Sequence, residues 1–117
     1  MSEVKLPAQL QEDLLRLQQL QQTLQTVISQ RQQLELESSD IDQTLAELEK
    51  MNDEALIYKS IGSLLVKSER KKVIDELRER KELLNTRILV LTRQQSRMEE
   101  RMKDLQKIVQ ERLKPLT

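Results

Sequence analysis

Apolar side chains recur at alternating spacings of three and four residues in two long stretches of the chain. Ten positions from Leu17 to Leu48 follow this spacing and eight of them are apolar; eleven positions from Ile74 to Val109 follow it and nine are apolar. Such spacing places one stripe of side chains on one face of an α-helix, and several successive heptads are typical of a coiled coil. The pattern predicts a mainly α chain, a single domain over residues 1–117, with helices over about residues 7–51 and 69–114.

The segment between the predicted helices has a different pattern. Residues 56–67 are rich in strand-forming side chains and contain Gly62 followed by Ser63. Glycine and serine suit the two central positions of a type II′ turn, so this segment predicts one central β-hairpin. The hairpin is expected to pair Ile61 with Leu64, Lys59 with Val66 and Ile57 with Ser68.

The start of the second helix combines a capping signal with an unfavourable charge. Ser68 is expected to cap this helix, with Glu69 in its first turn. Arg70, Lys71 and Lys72 follow at once. Their positive charges oppose the helix dipole, so another group must compensate for them.

The predicted hairpin carries apolar side chains on both of its faces. A lone hairpin is marginally stable in water, and one coiled coil cannot cover both faces or close both edges. The hairpin is therefore expected to join those of other subunits in a larger sheet or barrel. The alternative is an irregular loop packed on the end of the coil. The residues expected to hold the platform are Ile57, Tyr58, Ile61, Gly62, Leu64, Leu65 and Val66.

Composition narrows the possible functions. About half of the residues are Ala, Glu, Lys, Leu or Arg, as expected of coiled coils. The chain has no cysteine, no histidine and one glycine, which argues against thiolate or imidazole chemistry, the usual zinc sites and glycine-rich phosphate loops. Its carboxylates lie on a solvated coil with no pocket to tune them, so we expect neither an enzyme nor a cofactor.

The chain is expected to act in the cytoplasm. It shows no apolar run long enough to span a bilayer and no signal peptide. The absence of cysteine fits a reducing compartment.

The zero net charge conceals two opposite halves. Residues 1–58 hold 11 acidic and 4 basic side chains, net −7, whereas residues 59–117 hold 9 acidic and 16 basic side chains, net +7. Opposite charges beside an apolar seam favour antiparallel pairing of the two helices, with the acidic stretch 35–54 alongside 67–87. The predicted alignment places Ile41 near Leu77, Leu34 near Leu84 and Leu24 near Gln95.

Two polar residues interrupt the predicted seam at one level. Ser38 and Lys81 are expected to face each other and could fix the register of the coil at some cost in stability. The alternative is that the Lys81 side chain simply extends to water.

Apolar residues also crowd the two chain ends. Leu10, Leu14 and Leu17 are spaced by four and three, and Leu20 then follows after only three. This shift of register is expected to distort the supercoil and splay its end into an exposed apolar surface. For Leu10, Leu14, Leu105 and Val109, an ordinary place in the seam is an equal alternative. The candidate surface comprises Leu6, Leu10, Leu14, Leu105, Ile108, Val109 and Leu113.

The hairpin and the turn of helix after it resemble the β-class subunits of prefoldin. The resemblance rests on Ile57-Tyr58-Lys59-Ser60-Ile61-Gly62-Ser63-Leu64-Leu65-Val66-Lys67 and on Val73-Ile74-Asp75-Glu76-Leu77, and it extends from Pro7 to Pro115. It is strongest toward the archaeal β subunit. It implies a hexamer of two α-class and four β-class subunits, whose hairpins form a β-barrel platform. It further implies that the distal tips of the coiled coils hold unfolded polypeptides without ATP and deliver them to a group II chaperonin.

Two other functions compete with this one. A structural or tethering coiled coil would explain the heptads but not a hairpin with two apolar faces. A nucleic-acid-binding protein could use the basic residues between 70 and 87. Acidic residues interrupt that cluster, and one aromatic residue offers little stacking, so we expect no nucleic-acid partner.

Overall fold

The computed structural model describes residues 6–116. Helix α1 spans Ala8–Glu49 and helix α2 spans Arg70–Leu113. Strands β1 (Ile57–Ile61) and β2 (Leu64–Ser68) lie between them, and a short 3-10 helix (Lys114–Leu116) follows α2. This arrangement confirms the predicted mainly α fold, an antiparallel coiled coil of two long helices with a single β-hairpin.

The chain divides into two compact units. The hairpin unit comprises residues 32–89, and the described part of the terminal unit comprises residues 6–31 and 90–116. Within each unit, a segment of α1 packs against a segment of α2.

The hairpin has the predicted turn. Gly62 has a φ of +58°, and the φ of Ser63 is not positive. A type II′ turn needs a positive φ only at its first central residue, where glycine is the residue without strain. The strand register is also confirmed: Ile57 pairs with Ser68, Lys59 with Val66 and Ile61 with Leu64.

Helix α1 ends in a tightened turn followed by an Asn turn. The Met51 N–H donates to the Leu48 carbonyl at 3.2 Å, so an i→i+3 bond closes the chain just after Glu49. The side-chain Oδ1 of Asn52 then accepts a hydrogen bond from the Glu54 N–H at 3.0 Å. An Asn side chain that bonds the backbone two residues ahead stabilises a turn, which directs the chain out of α1.

The predicted cap of α2 is wrong by one residue. The Val73 N–H donates to the Glu69 carbonyl at 3.0 Å, and α2 begins at Arg70. Glu69 is therefore the N-cap residue, since its carbonyl accepts the first bond of the helix. Ser68 cannot fill that role because it is still part of β2, where it pairs with Ile57.

Arg70 resolves the unfavourable charge at the start of α2. Its Nε donates to the Leu48 carbonyl at 2.7 Å, and its guanidinium pairs with Asp53 at 2.9 Å. Helix α1 has no basic residue in its own last turn, and a cation at a helix C-terminus is favourable. Arg70 therefore stabilises the end of α1 and offsets its cost at the beginning of α2.

The core of the hairpin unit joins the hairpin to both helices. Leu48 of α1, Ile57 of β1 and Ile74 of α2 form a buried cluster. Ile57 is the one buried residue of the two strands. Burial of a side chain of this size contributes roughly 1.5–3 kcal/mol, so Ile57 is the apolar anchor of the hairpin.

The contacts between the two helices in the hairpin unit differ in detail from the predicted pairs. Leu45 and Leu77 both pack against the cluster of Leu48, Ile57 and Ile74, and the expected proximity of Ile41 to Leu77 stays a prediction. Lys81 forms an ion pair with Asp42 rather than facing Ser38. Neither expectation for Lys81 described this ion pair: its half-buried stem carries the ammonium to the carboxylate of Asp42 at the edge of the seam.

One contact of the terminal unit involves a residue of the predicted alignment. The Oε1 of Gln95, which was expected near Leu24, accepts a hydrogen bond from the Nε of Arg31 at 2.8 Å. The predicted alignment places the end of α1 at the same level as the start of α2. Because only Glu69 separates β2 from α2, the first turn of α2 lies beside the residues that follow α1.

The predicted alignment of opposite charges is confirmed. Carboxylates of the acidic stretch meet cations of the basic stretch along both edges of the seam in the hairpin unit. The pairs are Glu37 with Arg80 (3.0 Å), Glu49 with Arg78 (3.8 Å), Asp53 with Arg70 (2.9 Å) and Asp42 with Lys81. Exposed pairs of this kind contribute about 0–1 kcal/mol each, so burial of the apolar seam supplies most of the stability.

The seam of the terminal unit continues without the predicted shift of register. Its α1 positions are Leu10, Asp13, Leu17 and Leu20, at spacings of three, four and three. Leu10 is fully buried and Asp13 exposes only 3% of its surface, whereas Leu14 is half-buried. The predicted splaying rested on Leu14 as a seam residue, and Asp13 holds that position instead.

Candidate functional site

The hairpin contacts its own helices through Ile57 and Lys59, whereas Ile61, Leu64 and Val66 of the same face are exposed. Ile57 is buried against the helices, and the Nζ of Lys59 lies 2.6 Å from the Oε2 of Glu76 on α2. Side chains alternate between the two faces along a strand, so the residue between Ile57 and Lys59 points to the opposite side of the hairpin. We call this opposite side the outer hairpin face, and it comprises Tyr58, Ser60, Leu65 and Lys67.

The contact between Lys59 and Glu76 also changes the chemistry of the carboxyl group. The hydrogen bond from Lys59, more than any other influence, lowers the pKa of Glu76 below its ordinary value. The charges of Lys59 and Lys72 act in the same direction, while partial desolvation opposes them. The pair ties the middle of β1 to α2.

Most residues predicted to hold the platform are exposed in the single chain. Leu65 exposes 72% of its surface. The other exposed apolar side chains of the two strands each expose a smaller fraction. Ile57 differs because its side chain is buried in the core of the hairpin unit. The exposed platform residues are Tyr58, Ile61, Leu64, Leu65 and Val66.

Residues predicted to form an apolar surface near the chain ends divide into two groups. Leu10, Leu105 and Val109 are buried in the seam, as in the alternative interpretation. Ile108 is exposed to 40% of its surface. The half-buried members are Leu6, Leu14 and Leu113.

Two exposed leucines of the terminal unit were not among the candidate residues. Leu15 and Leu116 are both exposed, Leu15 the more so. Leu15 lies one position after Leu14 and points away from the seam. If Asp13 is assigned to the seam, the heptad spacing places Leu15 on the outward side of α1, and this spacing is the signal that was missed.

A groove between α1 and α2 collects apolar surface in the terminal unit. It has a volume of about 460 Å³, and Leu20, Leu105 and Ile108 form its apolar lining. Arg16 and Arg101 also line it and supply charged groups at its edge. An exposed apolar surface flanked by polar groups is typical of an interaction site.

A second cavity lies where the two ends of the terminal unit meet. It has a volume of about 370 Å³, and Pro7, Leu10, Pro115 and Leu116 contribute apolar surface to it. Arg112 lines the same cavity, and its Nη1 donates to the Oδ2 of Asp13 at 2.6 Å. The unit therefore combines exposed apolar surface with a charged pair that reaches into its seam.

Asp13 was missed by the sequence analysis. Among residues 6–116 it is the one charged residue classed as buried. Besides Arg112, Gln9 donates to its Oδ1 at 3.3 Å. A buried carboxylate is tolerated only with such partners.

Neither a metal-binding cluster nor a membrane-spanning helix is found among the described residues. Within residues 6–116, no cluster of three or more acidic side chains could hold a metal ion. In the same range, neither helix is both long and apolar enough to cross a bilayer.

Comparisons with known proteins match this fold over nearly all of the chain. A family model described as prefoldin subunit matches residues 11–115. The prefoldin β subunit of Archaeoglobus fulgidus is 45% identical over 111 residues, which cover 95% of this chain and 96% of the relative. That of Pyrococcus furiosus is 38% identical, with 96% of each chain covered.

Solved structures match as well. The crystal structure of the prefoldin β subunit from Thermococcus strain KS-1 is similar with a TM-score of 0.84 at 37% identity, and the match covers 95% of this chain and 97% of that one. The prefoldin β2 subunit from the same strain shares the fold at a TM-score of 0.71 and 22% identity.

The chain belongs to the prefoldin subunit family, which is a family of chaperones and not of enzymes. Its similarity to archaeal prefoldin β subunits confirms the β-class resemblance seen in the hairpin motif.

Proposed function

We propose that this chain is the β-class subunit of a cytoplasmic prefoldin hexamer, with two α-class and four β-class subunits. The assembly holds non-native polypeptides without ATP and delivers them to a group II chaperonin. The observation that carries this proposal is that each unit has its own set of exposed large apolar side chains. One set would build the assembly, and the other would bind the unfolded chain.

The hairpin supports the assembly role. Its exposed leucines and Tyr58 lie on strands whose outer edges have no partner within the described chain. Open edges and exposed apolar faces favour association with other strands, and a closed barrel would satisfy both. The Ile57 anchor would hold each hairpin in a fixed position while the strands pair.

The terminal unit supports the binding role. Leu15, Ile108 and Leu116 are exposed there, and Leu20 and Leu105 add apolar surface to the 460 Å³ groove. Full burial of one such side chain is worth roughly 1.5–3 kcal/mol, and a shallow contact is worth less. When the terminal units of several subunits bind one client, each bound unit raises the effective concentration of the client at the others. The combined affinity is then useful without a deep pocket.

This mechanism requires no chemical step. Binding relies on apolar contacts that many unfolded sequences can make, and release follows from folding, competition or transfer to the chaperonin. Weak individual contacts suit transfer, because a client can leave one arm while others still hold it.

Removal of both chain ends tests the proposal. The assembly with its α-class partner should suppress aggregation of a denatured client in the absence of ATP. Deletion of residues 1–10 and 108–117 should abolish suppression and leave the hexamer intact by light scattering, because the hairpin unit is untouched. Leu36→Ser is a matched control, since Leu36 is an exposed leucine in the hairpin unit. Equal protection by the shortened assembly would refute the binding role of the terminal unit.

A further inference from the structure

A groove in the hairpin unit is not explained by the fold of the single chain. It has a volume of about 670 Å³ and runs between Lys59 of the hairpin and the side of α2 that carries Leu83. Leu83 exposes 53% of its surface, although it lies next to the fully buried Leu84. The groove is an open surface whose lining contains one leucine and several charged groups.

The charges around this groove are only partly neutralised within the chain. Lys59 is bonded to Glu76, and Arg80 is held by Glu37 on α1 at 3.0 Å. The carboxylates of Glu79 and Glu82, which also line the groove, have no ion pair within residues 6–116. The groove therefore presents one exposed leucine together with two available negative charges. Its complement is a surface with one apolar group next to a cation.

The outer hairpin face has this complementary character. Leu65 and Lys67 are exposed, lie two residues apart on β2 and point to the same side. Lys67 has no ion-pair partner within the described part of the chain. The hairpin cannot turn this face toward its own groove, because the opposite face already contacts the helices through Ile57 and Lys59.

The spacings on the two surfaces match. Two residues along a strand advance about 6.6 Å, from Leu65 to Lys67. Four residues along a helix advance about 6 Å, from Leu83 to Glu79. An apolar contact between the two leucines would therefore place the lysine ammonium beside the carboxylate of Glu79.

We propose that the groove receives the outer hairpin face of a second copy of this chain, with Leu65 against Leu83 and Lys67 beside Glu79 and Glu82. The contact joins two different surfaces of identical chains, so it runs head to tail. It would extend the hairpin platform onto α2. The inference therefore rests on the proposed assembly and adds a contact to it.

Disulfide cross-linking tests this contact, because the chain contains no cysteine. Leu65→Cys and Leu83→Cys chains are mixed, oxidised mildly and separated on a non-reducing gel, both alone and co-expressed with the α-class subunit. Covalent dimers should form on the order of tenfold faster than in a matched mixture of Leu65→Cys and Leu36→Cys chains, since docking raises the effective thiol concentration. Leu36 is the control because it is an exposed leucine outside the groove.

Charge reversal sharpens the test. Lys67→Glu on the Leu65→Cys chain should slow cross-linking to the control rate, and Glu79→Lys with Glu82→Lys on the Leu83→Cys chain should restore it. A Leu65–Leu83 rate equal to the control in both preparations overturns the proposal. So does a cross-link that disappears once the α-class subunit is present, since the groove would then belong to that subunit. Aggregation suppression measured on the same samples reports separately on the chaperone function.

Discussion

The two units use charge and apolar groups in opposite ways. In the hairpin unit, ion pairs such as Glu37–Arg80 flank a seam whose interior is largely apolar. In the terminal unit, a carboxylate lies in the seam itself, where Arg112 holds Asp13, while Leu15 and Ile108 remain exposed. The first arrangement favours a stable and uniquely aligned core. The second leaves apolar surface available and makes closure of the seam depend on one charged pair.

Two fully buried leucines provide the largest expected effect and compare the units directly. Leu84 belongs to the hairpin unit and Leu10 to the terminal unit, and neither exposes any surface. Leu84→Ala should lower the free energy of unfolding by about 3 kcal/mol. Leu10→Ala should cost only about 1–2 kcal/mol, because Leu10 lies in the first turn of α1, where the helix end can open locally.

Urea denaturation of the two variants measures both costs. Hydrogen exchange should show faster exchange confined to the terminal unit in Leu10→Ala and spread through the hairpin unit in Leu84→Ala. Equal losses of stability would contradict the distinction between the two units.

The Asp13–Arg112 pair predicts an asymmetric response to mutation. Arg112→Ala leaves the buried Asp13 carboxylate without its cation and should cost about 2 kcal/mol, less than a fully buried pair because Arg112 is partly exposed. Asp13→Leu places an apolar side chain in the seam and leaves a solvated Arg112, so it should be neutral or stabilising. Thermal unfolding of both variants measures the two changes in stability. A larger loss in Asp13→Leu than in Arg112→Ala would contradict this account of the seam.

The hairpin turn predicts a smaller effect. Gly62→Ala should cost about 1 kcal/mol, since the φ of +58° is strained for any side chain. No atom lies within 4 Å of the added methyl group, so the cost is conformational and not steric. Ser63→Ala serves as a control at the neighbouring turn position, where φ is not positive. Similar stabilities of the two variants in thermal unfolding would show that the turn is less constrained than described.

The smallest expected effect depends on pH. Because Lys59 lowers the pKa of Glu76 in the folded chain, this carboxylate stabilises the fold at pH values above its ordinary value of 4.5. That contribution is lost as the pH falls through the lowered pKa. Glu76→Gln should therefore lose a little stability at neutral pH and none at pH values below the lowered pKa. Urea midpoints across this range test the sign, and a Glu76→Gln penalty that grows toward acid would contradict it.

Local signals in the sequence predicted the hairpin well. Gly62 followed by Ser63 defines a two-residue turn, and such a turn fixes the register of both strands at once. Alternation of side chains then determines which residues share a face. The sequence could not show that Ile57 alone among the strand residues would be buried, because that depends on how the hairpin meets Leu48 and Ile74.

The pairing of the helices was harder to predict than the helices themselves. A heptad pattern repeats, so sliding one helix along the other by a turn or two still brings apolar residues together. Opposite charges can pair in many of these alignments, so charge adds little to the choice among them. Asp13 was overlooked for a related reason: a search for apolar positions passes over a charged residue in the seam, although its spacing from Leu10 and Leu17 fits the heptad.

The proposed division of labour places assembly in the hairpin unit and client binding in the terminal unit. Two matched triple variants, each with three exposed apolar residues replaced by serine, test it in the assembly formed with the α-class subunit. One changes Leu15, Ile108 and Leu116 of the terminal unit, and the other changes Tyr58, Leu64 and Leu65 of the hairpin.

Light scattering and aggregation suppression are measured on the same samples. The terminal variant should remain a hexamer and lose most of its ability to protect a denatured client, whereas the hairpin variant should fail to assemble. A terminal variant that protects the client as well as the unmodified assembly, or a hairpin variant that still forms the hexamer, would contradict the division of function between the two units.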